Sequence, residues 1–252
     1  MFYPRTTAYQ PYPVGEKGTT GAKGTHWMFE AISMILSGNS QYSQVGKGIS
    51  YLEFASPELY QDLPSPRVLN THNRFDWLPT GVRTHKNKII VTTRNPKDVA
   101  VSLYHHHINL SEMYDYSGDF QDWIPLFLEG KSVDCGDYCE YHLDWDRVVR
   151  ENPDWPILVV KFEDCVKDLA DSIRKISVFL ERPLSENQIA DMAKALSFTN
   201  MKSHFRNTLT EKLIRKGEVA DWKNWLTEAQ SAQIDRQCQQ LKGSQFEPKF
   251  EM

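Results

Sequence analysis

KIIVTTRNPKDVAVS, residues 88–102, is the stretch that decides the fold class of this chain. Its first six residues are rich in β-branched side chains, which is typical of a strand. Asn95 then supplies a helix N-cap, and Pro96 takes the first helical position, where its missing N–H is no loss. The stretch therefore predicts a strand that leads directly into a helix.

A second strand-to-helix junction follows at residues 157–164, which read ILVVKFED. Arg67–Thr71 is a shorter strand candidate. The apolar runs are continuous rather than alternating, which indicates strands that are buried on both faces. The sequence therefore predicts an α/β fold, a single domain with a central parallel β-sheet flanked by helices.

Helices are predicted where apolar residues recur at helical spacing. The first begins near Trp27 and ends at Gly38, and a second pattern covers residues 166–180. Residues 185–188 (SENQ) and 227–230 (TEAQ) are capping boxes that begin two more helices.

The N-terminal residues differ from the rest of the chain. Residues 1–24 are rich in Gly, Pro, Thr and Tyr and show neither a helical nor a strand period. We expect an irregular N-terminal arm over residues 1–24, followed by one domain over residues 25–252. No change in composition suggests a second domain.

The composition excludes several classes of protein. A chain of 252 residues can bury a substantial core. Its 29 Lys and Arg against 33 Asp and Glu give a net charge of −4, which argues against a generally basic nucleic-acid binder. The longest apolar run, residues 157–160, is far below the ~20 residues of a membrane-spanning helix. With no secretory signal and only Cys135, Cys139, Cys165 and Cys238, we expect a cytoplasmic protein without nucleic-acid or membrane partners.

A glycine-rich turn lies at the predicted start of the first helix. Residues 21–27 read GAKGTHW, so that a lysine, a threonine hydroxyl and backbone N–H groups are presented together. Such a turn is suited to binding an anion. It matches neither G-x-x-x-x-G-K-[ST] nor G-x-G-x-x-G. The turn alone leaves a second interpretation open, a flexible loop that only caps the helix.

Three later segments favour the anion-binding interpretation. Residues 70–72 read NTH at the end of a strand candidate, residues 94–102 read RNPKDVAVS, and residues 214–224 read IRKGEVADWKN. Together with the turn, and in this order, they resemble the signatures of the cytosolic sulfotransferases, YPKSGTTW, KTH, RNxKDVAVSYYH and RKGxxGDWKN. The resemblance extends over about residues 20–252.

That resemblance implies a P-loop-like sulfotransferase fold and an enzyme that uses no metal. Such an enzyme moves a sulfuryl group from 3′-phosphoadenosine 5′-phosphosulfate (PAPS) to a hydroxyl or amine of a small, partly apolar acceptor, and releases adenosine 3′,5′-bisphosphate (PAP). The positions that match the family's 5′-phosphosulfate site are Lys23, Gly24, Thr25 and His26, of which Lys23 offsets charge on the leaving phosphate oxygen. The positions that match its 3′-phosphate site are Arg94, Ser102, Arg215, Lys216 and Gly217, and those that match its adenine-stacking aromatics are Trp27 and Phe198.

The resemblance also implies a catalytic base and an acceptor pocket. His72 matches the general base that takes the proton from the acceptor, a task suited to an unperturbed pKa of ~6.5. Tyr51 and Phe54 match aromatics that wall an apolar acceptor pocket beside His72. His106 stands where the family often has phenylalanine, which predicts a more polar pocket.

No metal site is predicted from the residues themselves. His105, His106 and His107 are adjacent on a predicted helix, so their side chains point about 100° apart and chelate one ion poorly. Cys135 and Cys139 lie at i, i+4, but no second pair of ligands has a suitable spacing.

Departures from the family signatures keep other hypotheses open. Lys23 directly precedes Gly24 rather than lying two residues before it, and Asn70 replaces the lysine of KTH. The family's C-terminal dimer motif is degraded at Glu228 and Ala232, so both monomer and homodimer remain possible. These changes motivate an alternative function, a catalytically impaired homologue that binds nucleotide or acts as a regulatory or binding protein. A P-loop phosphotransferase is a weaker hypothesis, because G-x-x-x-x-G-K-[ST] is missing.

Overall fold

The structure is a computed structural model of the chain. It describes residues 25–53, 56, 58, 63, 65–131, 133 and 136–250. Several residues that the sequence analysis singled out lie outside the described residues: the arm over residues 1–24 with its Lys23 and Gly24, and also Phe54, Cys135 and the side chain of Thr25.

A parallel sheet forms where the sequence predicts it. Strand β1 (Ile89–Thr93) pairs with strand β2 (Ile157–Lys161) along their whole length, from the pair Ile89–Ile157 to the pair Thr93–Lys161. Both strand predictions are thereby confirmed. The equal register brings the carboxyl ends of the two strands side by side, so the residues that follow them are neighbours.

The strand predicted over Arg67–Thr71 is wrong. The structure has an extended segment there with one isolated parallel bridge, between Asn70 and Tyr51. Leu52 N–H donates to the Asn70 carbonyl at 2.9 Å, and Asn70 N–H donates to the Ser50 carbonyl at 2.8 Å. In the described part of the chain, no strand pairs with this segment before Asn70, so the hydrogen-bond ladder does not extend.

The helices begin and end at the signals that the sequence carries. The Asn95 side chain accepts a hydrogen bond from Lys97 N–H, and Pro96 opens the helix after β1. Both predicted capping boxes, at Ser185 and Thr227, are formed. The described helices are α1 (Thr25–Ser37), α2 (Thr80–Thr84), α3 (Pro96–Asn109), α4 (Ser111–Tyr114), α5 (Phe120–Glu129), α6 (Tyr138–Glu151), α7 (Phe162–Lys167), α8 (Leu169–Phe179), α9 (Glu186–Ala195), α10 (Phe198–His204), α11 (Leu209–Leu213) and α12 (Glu228–Cys238), with 3₁₀ turns at Lys47–Ser50, Phe75–Trp77, Asp221–Asn224 and Gln239–Leu241.

One predicted helix is divided in two. The helical pattern over residues 166–180 runs across the end of α7 and the start of α8. The break falls at Asp168, whose side chain accepts a hydrogen bond from Asp171 N–H and so caps α8. None of the described helices has the length and apolarity that crossing a membrane requires.

The sheet is buried on both faces, as the continuous apolar runs predict. Val91 and Val159 pack on a cluster around Trp123, built from α3, α5, α6 and α12. Ile90 and Leu158 point the other way, into a cluster of α1, α8 and α9. Successive residues of a strand face opposite sides, which explains why both strands are apolar throughout.

A cavity of about 700 Å³ lies along β1. It is bounded by that strand, by α1 and by the extended segment over residues 66–72. His72, Lys47 and Arg94 line it, so the cavity joins the end of β1 to the end of the extended segment.

Candidate functional site

Arg94 and Phe162 meet at the carboxyl end of the sheet. Arg94 follows β1 directly and Phe162 follows β2, and the guanidinium carbon of Arg94 lies 4.4 Å from the centre of the Phe162 ring. The carboxyl ends of parallel strands are the usual place for ligands in open α/β sheets. The sheet therefore positions Arg94 at the edge where a site is expected.

The Arg94 side chain connects this edge to the predicted basic segment. Its Nη2 donates to the Glu218 carbonyl at 2.8 Å and lies 3.9 Å from Asp98 Oδ2. Burial lowers the pKa of Arg94, the charge of Arg215 acts in the same direction, and the Asp98 carboxylate opposes both. Arg94 and Arg215 are thus close enough for their charges to interact, as the predicted 3′-phosphate site requires.

Two buried donors on the junction of β1 and α3 have no hydrogen-bond partner among the described residues. One is Arg94 Nε and the other is Ser102 Oγ, two helical turns further along α3. Ser102 is only 6% exposed. A buried polar atom without a partner calls for a physical explanation, because leaving it unpaired costs about 1–3 kcal/mol. Phosphate oxygens, which accept hydrogen bonds, fit both donors.

Two aspartates, which the sequence reasoning missed, hold the basic segment in place. The Asp98 carboxylate accepts hydrogen bonds from Ala220 N–H at 2.8 Å and Trp222 N–H at 3.1 Å. Asp98 lies within the quoted RNPKDVAVS segment, but its sequence position gives no sign of a contact with residues more than a hundred positions later. It ties α3 to the segment that carries Arg215 and Lys216.

The second aspartate, Asp221, pairs with both cations of the segment. Arg215 Nη1 lies 2.5 Å from Asp221 Oδ2, and Lys216 Nζ lies 2.6 Å from Oδ1. Burial raises the pKa of Asp221, but hydrogen bonds from Lys216, Asn224 and Arg215 outweigh it and bring the pKa to about 2. One carboxylate shared between two cations leaves positive charge available to a further anion.

Gly217 and Phe198, two of the predicted nucleotide residues, are in contact. Gly217 has a φ of +68°, and a Cβ atom there would lie 2.6 Å from Cδ2 of the Phe198 ring. Phe198 is nevertheless 37% exposed, which leaves part of its ring free to stack on a base. Trp27, predicted for the opposite face of the adenine, lines the cavity and packs against the α1, α8 and α9 cluster.

His72 is held by two residues of the segment that precedes it in the chain. The Tyr51 hydroxyl is in hydrogen-bond contact with both ring nitrogens, at 3.0 Å from Nε2. The Glu53 carboxylate accepts hydrogen bonds from His72 N–H and, at 2.9 Å, from the Thr71 hydroxyl. Tyr51 was predicted as an apolar wall of the acceptor pocket, and its hydroxyl contact with His72 adds a polar role.

The surroundings of His72 move its pKa away from the ~6.5 of an unperturbed histidine. Burial lowers the pKa to about 3, and the positive charges of Lys47 and His106 act in the same direction. The sequence could not predict this, because the burial and the neighbouring charges come from distant segments. The imidazole is therefore neutral at physiological pH, and a neutral imidazole has one ring nitrogen that can accept a proton.

The other predicted histidines, His26 and His106, are electrostatic neighbours of Lys47 and His72, respectively, and are not among the residues that line the cavity. His26 is buried, its Nε2 has no partner among the described residues, and burial, Lys47 and His106 lower its pKa. His106 is also buried, with Nε2 3.1 Å from the Tyr114 hydroxyl. Lys47, which the sequence reasoning missed, is 5% exposed. A lone lysine in a glycine-containing turn carries no sequence signal of burial.

The histidine run does not converge on one point. The His105 ring lies against Trp225, with ring centres 4.7 Å apart, whereas the rings of His106 and His107 lie against Tyr114. His107 Nδ1 is 3.0 Å from the Leu103 carbonyl of its own helix. Within the described residues there is no group of three or more His, Cys, Asp or Glu side chains that could hold a metal ion.

Known proteins resemble this chain over most of its length. A family model described as a sulfotransferase domain matches residues 20–246. Sulfotransferase 6B1 of Mus musculus is 31% identical over 218 residues, which cover 84% of this chain and 70% of the relative. Amine sulfotransferase of Oryctolagus cuniculus is 31% identical over 232 residues, covering 84% of this chain and 75% of the relative.

Solved structures agree with these matches. Mouse sulfotransferase SULT7A1, complexed with PAP, superposes with a TM-score of 0.74 at 26% identity, over 88% of this chain and 81% of that one. Retinol dehydratase, in complex with androsterone and inactive cofactor PAP, superposes with a TM-score of 0.70 at 22% identity, over 88% and 79% of the two chains. At that identity the second likeness supports the fold alone.

Proposed function

The chain belongs to the sulfotransferase family, and on that premise we propose that it transfers a sulfuryl group from PAPS to a hydroxyl or amine of a small, partly apolar acceptor. One observation supports this most directly. Arg94 Nε and Ser102 Oγ, on the junction of β1 and α3, are buried without a partner in the described part of the chain. Both residues are among those that match the 3′-phosphate site of the family.

The donor site is assigned to this chain's residues by charge and contact. PAPS, when bound, supplies the sulfuryl group together with a phosphate as its leaving group. Arg94, Arg215 and Lys216 bring three cationic side chains to this site, where they face the carboxylates of Asp98 and Asp221 and, at Arg94, that of Glu163. Several cations that converge on one point suit a 3′-phosphate. Gly217 and Ser102 complete the 3′-phosphate site. Trp27 and Phe198 are assigned to the two faces of the adenine. The residues assigned to the 5′-phosphosulfate are Lys23, Gly24, Thr25 and His26.

His72 is the proposed general base. Its neutral ring can accept the proton of the acceptor hydroxyl as the new oxygen–sulfur bond forms. Tyr51 and Glu53 are positioning residues, because one contacts the ring and the other the backbone N–H of His72. Tyr51, Phe54, His72 and His106 are the proposed acceptor-site residues. Bringing the negative charge of the donor close to His72 raises its pKa and so makes it a better base.

Binding and transfer together test this function. We expect calorimetric titration to give a micromolar Kd for PAP and a Kd for 5′-AMP at least about tenfold higher, because charge-assisted hydrogen bonds contribute ~1.5–3 kcal/mol each. Incubation with PAPS and a simple phenol, with a chelator present, is expected to yield the sulfated phenol. Equal affinity for the two nucleotides contradicts the proposed 3′-phosphate site.

A homologue that binds nucleotide without transferring a sulfuryl group is the alternative, and it is not favoured. The described residues keep a neutral, positioned base at His72 and a cavity beside it. PAP binding without transfer to any phenol, alcohol or amine would favour the alternative.

Replacing Gly217 by alanine tests the contact with Phe198. A Cβ there meets the ring at 2.6 Å, so we expect the ring to move and PAP affinity to fall roughly fivefold or more, since a base–aromatic stack contributes ~1–3 kcal/mol. Gly243→Ala is the matched control, because Gly243 has a φ of +77° and nothing within 4 Å of the added Cβ. Both variants should lose about 1 kcal/mol of stability from the left-handed backbone. A PAP affinity that falls equally in both variants contradicts a role of the contact between Gly217 and Phe198 in nucleotide binding.

The compartment, the partners and the absence of a metal requirement are proposed from the composition and the family resemblance. We propose a cytoplasmic enzyme that acts on small molecules rather than on nucleic acid or membranes and that needs no metal. The buried free thiols of Cys139, Cys165 and Cys238 fit a reducing compartment. Both a monomer and a homodimer fit the sequence.

A further inference from the structure

Lys97 is a buried cation in the first turn of α3, and the site assigned above does not use it. The residue is only 3% exposed. Its ammonium nitrogen lies 2.7 Å from Asp235 Oδ1, and 4.4 Å and 4.5 Å from the centres of the Trp222 and Phe250 rings. A cation this close to an aromatic ring is attracted by it, more strongly where water is excluded. Lys97 therefore joins α3 to α12, to the 3₁₀ turn Asp221–Asn224 and to the C-terminal residues.

Trp222 is held by two consecutive residues of α3. Its backbone N–H donates to Asp98 Oδ1 at 3.1 Å, while the Lys97 ammonium lies over its ring. The exposed Lys223 also approaches this ring, but at 5.8 Å from its centre. Asp98 thus fixes the backbone of Trp222 and Lys97 fixes its side chain.

Trp222 belongs to the basic segment, residues 214–224, and follows the aspartate that orders the cations of this segment. Asp221 lies 2.5 Å from Arg215 and 2.6 Å from Lys216. Neighbouring residues of a chain move together, so a displacement of Trp222 also displaces Asp221. The contacts of Lys97 therefore extend, through two residues, to the cations of the proposed 3′-phosphate site.

The C-terminal residues support Lys97 at the same edge of the sheet. The Lys249 carbonyl accepts a hydrogen bond from Asn95 Nδ2 at 3.1 Å, and the Lys249 ammonium lies 2.8 Å from Asp164 Oδ1. The next residue is Phe250, whose ring contacts Lys97. These contacts fix the Phe250 side of the Lys97 ammonium, and a cation that is itself fixed can hold Trp222 in place.

Taking the proposed function as its basis, we propose that Lys97 is a positioning residue of the nucleotide site. Its ammonium is paired with the Asp235 carboxylate and contacts two aromatic rings, so it acts on the nucleotide through Trp222 rather than by touching a phosphate. By holding Trp222 it sets the place of Arg215 and Lys216, and with them the affinity for the donor.

Replacing Lys97 by methionine tests this assignment, because it removes the charge and keeps an unbranched apolar side chain. We expect the Kd for PAP to rise about fivefold or more, which corresponds to the loss of one cation–π contact. The Kd for 5′-AMP should rise too, because the same segment carries Gly217, which contacts Phe198 at the proposed adenine site. Calorimetry gives the number of sites together with Kd, so an unfolded fraction lowers the number of sites and leaves Kd unchanged.

Two further variants separate the charge of Lys97 from the substitution itself. Lys97→Arg keeps a cation for both rings and for Asp235, and it should recover most of the lost affinity. Lys175→Met is the control, because Lys175 is an exposed lysine on α8 that pairs with Asp171 at 2.7 Å, and it should leave both Kd values unchanged. A Lys97→Met loss confined to PAP makes Lys97 a direct phosphate ligand, and unchanged Kd values make its contacts purely structural. Either result overturns the proposal.

The failure of the proposed function gives a different result. If the wild type binds neither PAP nor 5′-AMP, hydrogen exchange of Lys97→Met decides the role of Lys97. The N–H groups of Ala220 and Trp222 donate to Asp98, so they report whether the segment is held. Faster exchange over residues 214–224, with exchange in α9 unchanged, supports Lys97 as the residue that holds the segment. Exchange at the wild-type rate overturns it.

Discussion

Replacing His72 by alanine is expected to lower kcat/KM for sulfuryl transfer by roughly 10²- to 10⁴-fold while the Kd for PAP changes less than about twofold. The alanine removes both ring nitrogens, and with them the group that accepts the acceptor's proton. In the wild type, His72 contacts Tyr51 and Glu53. The proposed 3′-phosphate residues are held instead by Asp98 and Asp221. Catalysis and nucleotide binding should therefore separate in this variant.

Steady-state kinetics, calorimetry and a thermal melt on the same preparation check this result. His85→Ala is the control, because His85 is an exposed histidine whose Nδ1 lies 2.7 Å from the Gly81 carbonyl and 3.3 Å from the Thr84 hydroxyl, both in the helix α2 that it follows. It should keep wild-type kcat/KM. A His72→Ala variant that retains more than about a tenth of the activity assigns the proton transfer to another group.

The sequence predicted those parts of the fold that local signals determine. The β-branched run before Asn95 and Pro96, and the capping boxes at Ser185 and Thr227, each act within a few residues, and the structure contains all of them. The strand predicted over Arg67–Thr71 does not form, because a strand needs a pairing partner and the described residues supply one only at Asn70. Pairing is not encoded in a short window of sequence.

The site shows the same division between local and distant contacts. Arg94 and Ser102 stand eight residues apart on one strand-to-helix junction, so their positions could be read from the sequence. The low pKa of His72 could not, because it depends on burial and on Lys47 and His106, which lie in other segments. Asp98 likewise acts through bonds to Ala220 and Trp222, and only the folded chain brings these together.

Arg94→Met is expected to raise the Kd for PAP by about 10- to 100-fold and to change the Kd for 5′-AMP by less than about threefold. The reason is that the guanidinium supplies a charge and a buried Nε donor to the 3′-phosphate, and a hydrogen bond to a charged group contributes ~1.5–3 kcal/mol. 5′-AMP has no 3′-phosphate and so loses little. Titration of each variant with both nucleotides gives the comparison directly.

Two further variants separate the charge of Arg94 from its structural contact. Arg94→Lys keeps the charge but has no Nε donor and no planar fork, so its Kd for PAP should lie between those of the wild type and Arg94→Met. Arg174→Met, at an exposed pair with Glu186, is the control and should leave both Kd values unchanged.

Arg94 also donates to the Glu218 carbonyl at 2.8 Å, so removing its side chain also releases a contact of the basic segment, residues 214–224. Where this release dominates, the aromatic wall formed by Phe198 against Gly217 is disturbed too, and the affinities for PAP and 5′-AMP fall together. Parallel losses for the two nucleotides thus assign Arg94 to the support of the segment, and a loss confined to PAP assigns it to the 3′-phosphate.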